Sequence, residues 1–184
     1  MAANAKKLIS PVCTAAYAWL AKPDEGQEYS DGKYKVTLLL DKDDKETKSF
    51  IKKLEAASDE AASEKWQDKP PKTLRYCYKD GDEKDKEDFE GKWMLVAKTK
   101  YRPGMLDCSE PPKSLGEGNE PASGDLIKAS FALIAYEAGG QKGVAAQLRN
   151  VQLIEKRNLG NNQDDFGSYD GGFTVEAVDD DDDF

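Results

Sequence analysis

The chain has 184 residues, 38% of them hydrophobic, with three cysteines, no histidine and a formal net charge of −9 at pH 7. This supports one modest core plus a tail rather than two full domains, and no apolar run reaches the roughly 18 residues that a membrane span needs. Without histidine the commonest general base and metal ligand are missing, and Cys13, Cys77 and Cys108 form neither a disulfide framework nor a CxxC metal pair.

Met1 to Leu20 carries Lys6 and Lys7 but no apolar h-region, so no secretory signal is expected, and a reducing cytoplasm fits the cysteine usage. The apolar and aromatic run Val12 to Leu20 predicts a first strand. A loop rich in Gly, Pro and charge follows, Lys22 to Gly32. Tyr34 to Leu40 then alternates, with Tyr34, Val36, Leu38 and Leu40 on one face and Lys33, Lys35, Thr37 and Leu39 on the other, a half-buried strand.

The period changes after Leu40. Phe50, Leu54, Ala57 and Ala61, with Ile51 beside them, make one helical face. Asp43 and Glu46 resemble a capping box, Pro70 and Pro71 close the segment, and the spacing predicts a helix from about Lys45 to Trp66. Further strands are expected at Leu74–Tyr78, Trp93–Tyr101, Ile127–Ala135 and Val144–Glu155. Ile127, Ala129, Phe131, Leu133 and Ala135 form a core face; Gly139, Gly140 and Gly143 signal a hairpin; the apolar phase slips near Asn150, where a β-bulge fits. Residues 103–124, rich in Pro and Gly, read as a long loop. Five or six strands and one helix in residues 1–157 predict an all-β small barrel, with an oligonucleotide-binding (OB) fold as the natural candidate.

The charge is segregated. Residues 158–184 hold nine acids and no Lys or Arg, leaving 27 acids against 27 basic residues in the body. Within the body, residues 80–90 carry seven acids and two lysines, so the remainder is about +5. Residues 158–184 bury too little apolar surface to order, so a disordered acidic tail is expected, ending in Asp179, Asp180, Asp181, Asp182, Asp183 and Phe184. An aromatic at the final carboxylate suits a hydrophobic anchor for a basic-rimmed pocket on a partner protein.

No catalytic motif is present: no GxSxG, no P-loop and no CxxC. Binding is better supported, because non-specific single-strand binders need cations along the backbone path and flat aromatic faces for bases. Lys33 and Lys35 share the outer face of the second strand, and Tyr17 and Trp19 share one face of the first. Lys98, Lys100 and Arg102 share one face of their strand, opposite Trp93, Leu95 and Tyr101. Lys128 and Tyr136 lie opposite the Ile127–Ala135 core face. Tyr34, Phe131 and Trp93 are assigned to the core.

The chain resembles the single-stranded DNA-binding proteins of short-tailed, T-seven-like phages. The resemblance rests on an ordered set: Ala5-Lys6-Lys7-Leu8-Ile9; Ala15 to Asp24 followed by Gly32-Lys33-Tyr34-Lys35-Val36; Gly143 to Glu155; and the Asp183-Phe184 end. Residues 67–125 match weakly, and Glu137-Ala138 stands where the family continues Tyr136 with basic and aromatic residues. The resemblance implies an OB fold with a helix between early strands; no cofactor is expected. It implies a homodimer whose tail occupies the partner's DNA groove until DNA displaces it, in the cytoplasm of an infected bacterial host. It implies tail contacts with the replicative DNA polymerase and the primase-helicase, and roles in replication, recombination and repair. It also implies DNA contacts at Lys6, Lys7, Lys33, Lys98, Lys100, Tyr101 and Tyr136.

Two rivals remain. An acidic protein-interaction or DNA-mimic module would bind no DNA, but its body should be acidic as well. A metal-dependent nuclease would have to be built on Asp80, Asp82, Asp85 and Asp88, a run that reads as a solvated loop.

Overall fold

The computed structural model describes residues 5–157 apart from 26, 27, 68 and 70. The expected acidic tail, 158–184, including Asp179 to Phe184, lies outside the described residues.

Alternation of apolar side chains builds the strands, and their pairing closes a barrel. β1 (Lys7–Ile9), β2 (Cys13–Trp19) and β3 (Tyr34–Asp41) precede one helix, α1 (Lys45–Lys65). β4 (Tyr78–Asp80), β5 (Lys92–Thr99), β6 (Gly104–Leu106), β7 (Leu126–Ala138) and β8 (Gln141–Glu155) follow it. β7 pairs with β2, β2 with β3, β3 with β5, β5 with β8, and β8 returns to β7. Five strands therefore form a closed ring, antiparallel except for β5 with β8. A small five-stranded barrel of this kind is an OB-type architecture. β1 extends β7, β6 extends β8, and β4 adds to β5.

The interior is filled by the expected alternating set: Val36, Leu38, Leu40, Leu95, Ala97, Ile127, Ala129, Phe131, Leu133, Val144, Ala146, Leu148 and Val151, all buried. α1 closes one end of the barrel with Phe50, Ile51, Leu54 and Ala57. Phe50 meets Phe131 edge-on at 6.2 Å between centroids. Burying each large apolar side chain contributes about 1.5–3 kcal/mol, so this plug holds the helix despite its polar outer face.

Several details differ from the expectation. The helix cap is Asp44, not Asp43: its carboxylate accepts the Thr47 N–H at 3.1 Å, and Thr47, not Glu46, is the third residue past the cap. Eight strands are present among the described residues rather than five or six. β1 and β6 have three residues each, too few for a periodic signal, and β6 lies inside the expected 103–124 loop. The expected Leu74–Tyr78 strand forms as Tyr78–Asp80, with Arg75 making only an isolated bridge to Gly143. β3 is not half-buried, because Thr37 and Leu39 on its outer side are also covered. Tyr101 does not share a strand face with Trp93, because β5 stops at Thr99 and Tyr101 is 78% exposed.

The expected bulge is present: Ser130 pairs with Asn150 and Phe131 with Leu148, leaving Arg149 as the extra residue. Gly139 and Gly140 both have positive φ, as a two-residue hairpin of the primed type requires. All three cysteines are free; burial pushes the thiols of Cys13 and Cys77 up to about 12, while Cys108 is exposed.

Candidate nucleic-acid interface

Residues paired directly across neighbouring strands point to the same side of a sheet. On the outer surface Trp19 pairs with Lys35, and Lys35 with Lys98. The same lateral row continues from Lys98 to Gln147, from Gln147 to Ala132, and from Ala132 to Lys7. Four residues singled out in the sequence, Lys7, Trp19, Lys35 and Lys98, thus share one line across the strands. Trp19 to Lys98 spans two strand spacings, about 10 Å.

Two cations of this row, Lys35 and Lys98, are engaged by carboxylates from the loop between β2 and β3. Asp31 accepts from the Lys98 ammonium at 2.8 Å and lies 3.7 Å from that of Lys35. Asp24, itself buried, also pairs with Lys35. Burial works against the Asp31 carboxylate, but the hydrogen bond from Lys98 and the charges of Lys98 and Lys35 outweigh it and hold its pKa below the usual value. The loop is folded on itself: the Asp24 N–H donates to the Lys33 carbonyl and the Gly32 N–H to the Asp24 carbonyl. Lys33 therefore serves this turn through its backbone.

A second feature adjoins the row: Tyr17 is two residues from Trp19 along β2, at most about 7 Å between Cα atoms, and its surroundings run along β3 toward Leu39. β2 carries one extra residue between Ala16 and Trp19, and Tyr17 takes it up in the left-handed region at φ 46°. Among the described residues it is the one non-glycine with positive φ. For a bulky side chain this costs on the order of 1–3 kcal/mol. Tyr17 and Trp19 are both on the outer side, but through this bulge rather than by simple alternation. The Tyr17 ring stacks on Phe89 at 5.8 Å and is 46% exposed. Lys86 donates to its hydroxyl at 2.7 Å.

Around Tyr17 is an open cleft of about 410 Å³, lined also by Thr14, Lys86, Phe89, Lys92, Ser123 and Arg157. Arg157 lies across Gly124, whose φ of 97° and missing side chain make room for it. Asp88 is the one carboxylate of the lining.

The run 80–90 shapes this cleft. It folds over the outer face of the sheet and buries Phe89 against Leu39 and Met94. Asp80 caps a short 3-10 turn and, with Asp82, pairs with Lys42; Asp82 also accepts the Gly91 N–H at 2.6 Å. These acids hold a loop in place. Among the described residues no group of three or more His, Cys, Asp or Glu side chains could hold a metal ion.

The remaining expected contacts are dispersed. Lys100, Tyr101 and Arg102 are exposed just past β5, with Arg102 paired to Glu120 at 3.1 Å. Lys128 and Tyr136 flank the row at Ala132 by four residues each along β7, about 13 Å to either side. Tyr136 is half-buried and lays its phenol over its cross-strand partner Gly143, so it is not a free platform. Lys6 turns to Glu60 of α1. Sequence reasoning missed Lys86, Phe89, Lys92 and Arg157. The available signal was Phe89, a lone aromatic in an acidic run.

Comparison with known proteins places the chain. The family model described as the single-stranded DNA-binding protein of Enterobacter phage Enc34 matches residues 6–184. Protein p50 of Acyrthosiphon pisum secondary endosymbiont phage 1 is 28% identical over 148 residues, covering 76% of this chain and 78% of that protein. The structure of the bacteriophage Enc34 single-stranded DNA-binding protein in complex with ssDNA superposes with a TM-score of 0.70 at 22% identity, covering 82% of this chain and 87% of that one. That of gp2.5, a single-stranded DNA-binding protein of bacteriophage T7, gives a TM-score of 0.63 at 21% identity over 93% of this chain and 99% of that one. These likenesses bear out the OB-type fold, and with it the resemblance to phage single-stranded DNA-binding proteins read from the sequence. The chain belongs to the family of phage single-stranded DNA-binding proteins represented by that of Enterobacter phage Enc34.

Proposed function

We propose that this protein coats single-stranded DNA without sequence preference during phage DNA replication, recombination and repair. The observation that carries the reading is the outer-surface row of Trp19, Lys35 and Lys98 beside the half-exposed Tyr17, on a barrel whose family binds single-stranded DNA. Aromatic faces stack on bases and contribute about 1–3 kcal/mol per base, while cations take phosphates. Every base has a flat face, so sequence matters little. The protein acts as a binder, not an enzyme.

The tail supplies the second half of the proposal. Residues 158–184 carry nine acids and end in Phe184. As a polyanion the tail competes with DNA for the cationic face, in a homodimer on the partner's face, and once freed it recruits the replicative DNA polymerase and primase-helicase. The site of action is the cytoplasm of the infected bacterial host.

The test is fluorescence-anisotropy binding of labelled oligo-dT to the full chain and to a chain ending at Gly160, over a salt series. The expected outcome is salt-sensitive binding, with a log–log slope near −0.7 per neutralised phosphate, tightening on truncation. Absence of binding by either form at low salt would sink the reading in favour of an acidic interaction module.

A further inference from the structure

We infer that the Tyr17 cleft is a nucleotide pocket: one base of single-stranded DNA stacks on the exposed side of the Tyr17 ring, and Lys92 and Arg157 hold its flanking phosphates. The inference rests on the DNA-binding reading above and assigns it a second subsite, distinct from the Lys35–Lys98 row.

Three observations carry it. The first is chemical. Lys86 donates to the Tyr17 hydroxyl, Lys92 to the Asp88 carbonyl at 3.1 Å, and Arg157 lies over Gly124. Among the described residues none of the three forms an ion pair, whereas Lys35 and Lys98 both do. A phosphate entering the cleft therefore displaces no carboxylate from a cation. The second is backbone strain. Tyr17 is held at φ 46°, where glycine would sit without cost, and the result is a ring 46% exposed, backed by Phe89 and oriented by Lys86. Strain of this kind persists where the surroundings impose it, and it clusters at ligand sites. The third is size. At about 410 Å³ the cleft falls in the range of about 300–1,000 Å³ typical of small-ligand sites.

The rival occupant is the acidic tail, because Arg157 lines the cleft and the acidic residues 158–184 follow it in the sequence. A nucleotide suits the cleft better, because it offers one flat ring and its flanking phosphates to one exposed ring and two cations that line the same cleft.

The experiment uses the full chain and labelled oligo-dT in a salt series, with two variants. Tyr17→Leu keeps an apolar side chain over Phe89 and removes the stacking face. Lys92→Gln with Arg157→Gln leaves the ring and removes the cations. Tyr17→Leu should bind roughly tenfold more weakly, the loss of one stacked base. The double variant should bind more weakly with a slope shallower by about 1.4, two phosphates' worth. Both losses are required. If the wild type binds and either variant matches it, the pocket assignment is overturned while the DNA-binding reading stands. Tighter binding by the double variant would mean that the cleft holds the tail, which also overturns it. If the wild type fails to bind oligo-dT at low salt, the parent reading falls with it.

Discussion

The two ends of the barrel's outer face use cations in opposite ways. At the Trp19–Lys35–Lys98 end the ammonium groups are engaged by Asp24 and Asp31 from one folded loop. At the Tyr17 end the side-chain cations of Lys86, Lys92 and Arg157 meet a hydroxyl and two aromatic rings, a carbonyl, and a glycine, and none of them pairs with a carboxylate among the described residues. Counting positive residues treats the ends as equal; counting what each cation already holds does not. A phosphate binding at the first end must compete with a carboxylate, so its gain is a difference between two similar interactions. At the second end no ion pair among the described residues has to be broken, so less of the gain is lost.

The cleft end depends on one buried anchor. Phe89 is 4% exposed and packs on Leu39 and Met94 beneath the Tyr17 ring. Truncation of a buried phenylalanine costs about 3–5 kcal/mol. Phe89→Ala should approach the lower bound, because its cluster is small and lies at the surface. The drop is measurable by denaturant unfolding. A loss below about 1 kcal/mol, near the average for any substitution, would mean that the loop does not hold the cleft.

At the row the informative change is Asp31→Asn. It should release Lys98 and leave Lys35 paired with Asp24 alone. Affinity for oligo-dT should rise about threefold to tenfold, and the salt slope should steepen by about 0.7 for one newly neutralised phosphate. Stability should fall by at most about 1 kcal/mol, because Lys35 and Lys98 are directly opposed across strands and like charges there are unfavourable. The pH dependence has a definite sign. The pKa of Asp31 is depressed in the fold, so its stabilising contribution is present above the unfolded carboxyl value of about 3.9 and is lost as pH falls through the lower folded value. Unchanged affinity in Asp31→Asn would take the row off the DNA path.

Much of the barrel was legible in the sequence because it is written in strict alternation. The interior positions of β3, β7 and β8 follow from period-two patterning, the β8 bulge from a slip in that period, and the turn from its glycines. The short strands β1 and β6 were not legible, because three residues carry no period. The end of β5 was missed because Tyr101 continues the alternation past Thr99, where the strand stops. The site was only partly legible. Trp19, Lys35 and Lys98 were found from face patterning, but their lateral alignment depends on register, which no single strand encodes. Lys86, Phe89 and Lys92 were hidden in or beside a run whose net charge argued against DNA. Local charge hid the use of Asp80 and Asp82 as loop anchors and of Phe89 as a lid on the sheet.

A small expected effect on stability also gives the sharpest test of the comparison. Tyr17→Gly removes a ring that packs on Phe89, and it also removes the strain of a bulky residue at φ 46°. The lost aromatic pair is worth about 0.5–1.5 kcal/mol beyond area burial, and the relieved backbone returns about 1–2 kcal/mol. Relief of strain offsets the aromatic pair, the buried half of the ring leaves a net loss of about 1 kcal/mol, and the melting temperature should fall by only a few degrees, given about 2–4 °C per kcal/mol in a chain of this size. Affinity for oligo-dT should nevertheless fall roughly tenfold, as one stacked base is lost. Stability little changed with binding lost is the pattern of a residue kept strained for its ligand. Stability clearly lost with binding unchanged would make Tyr17 a packing residue, and the row the working end of the face.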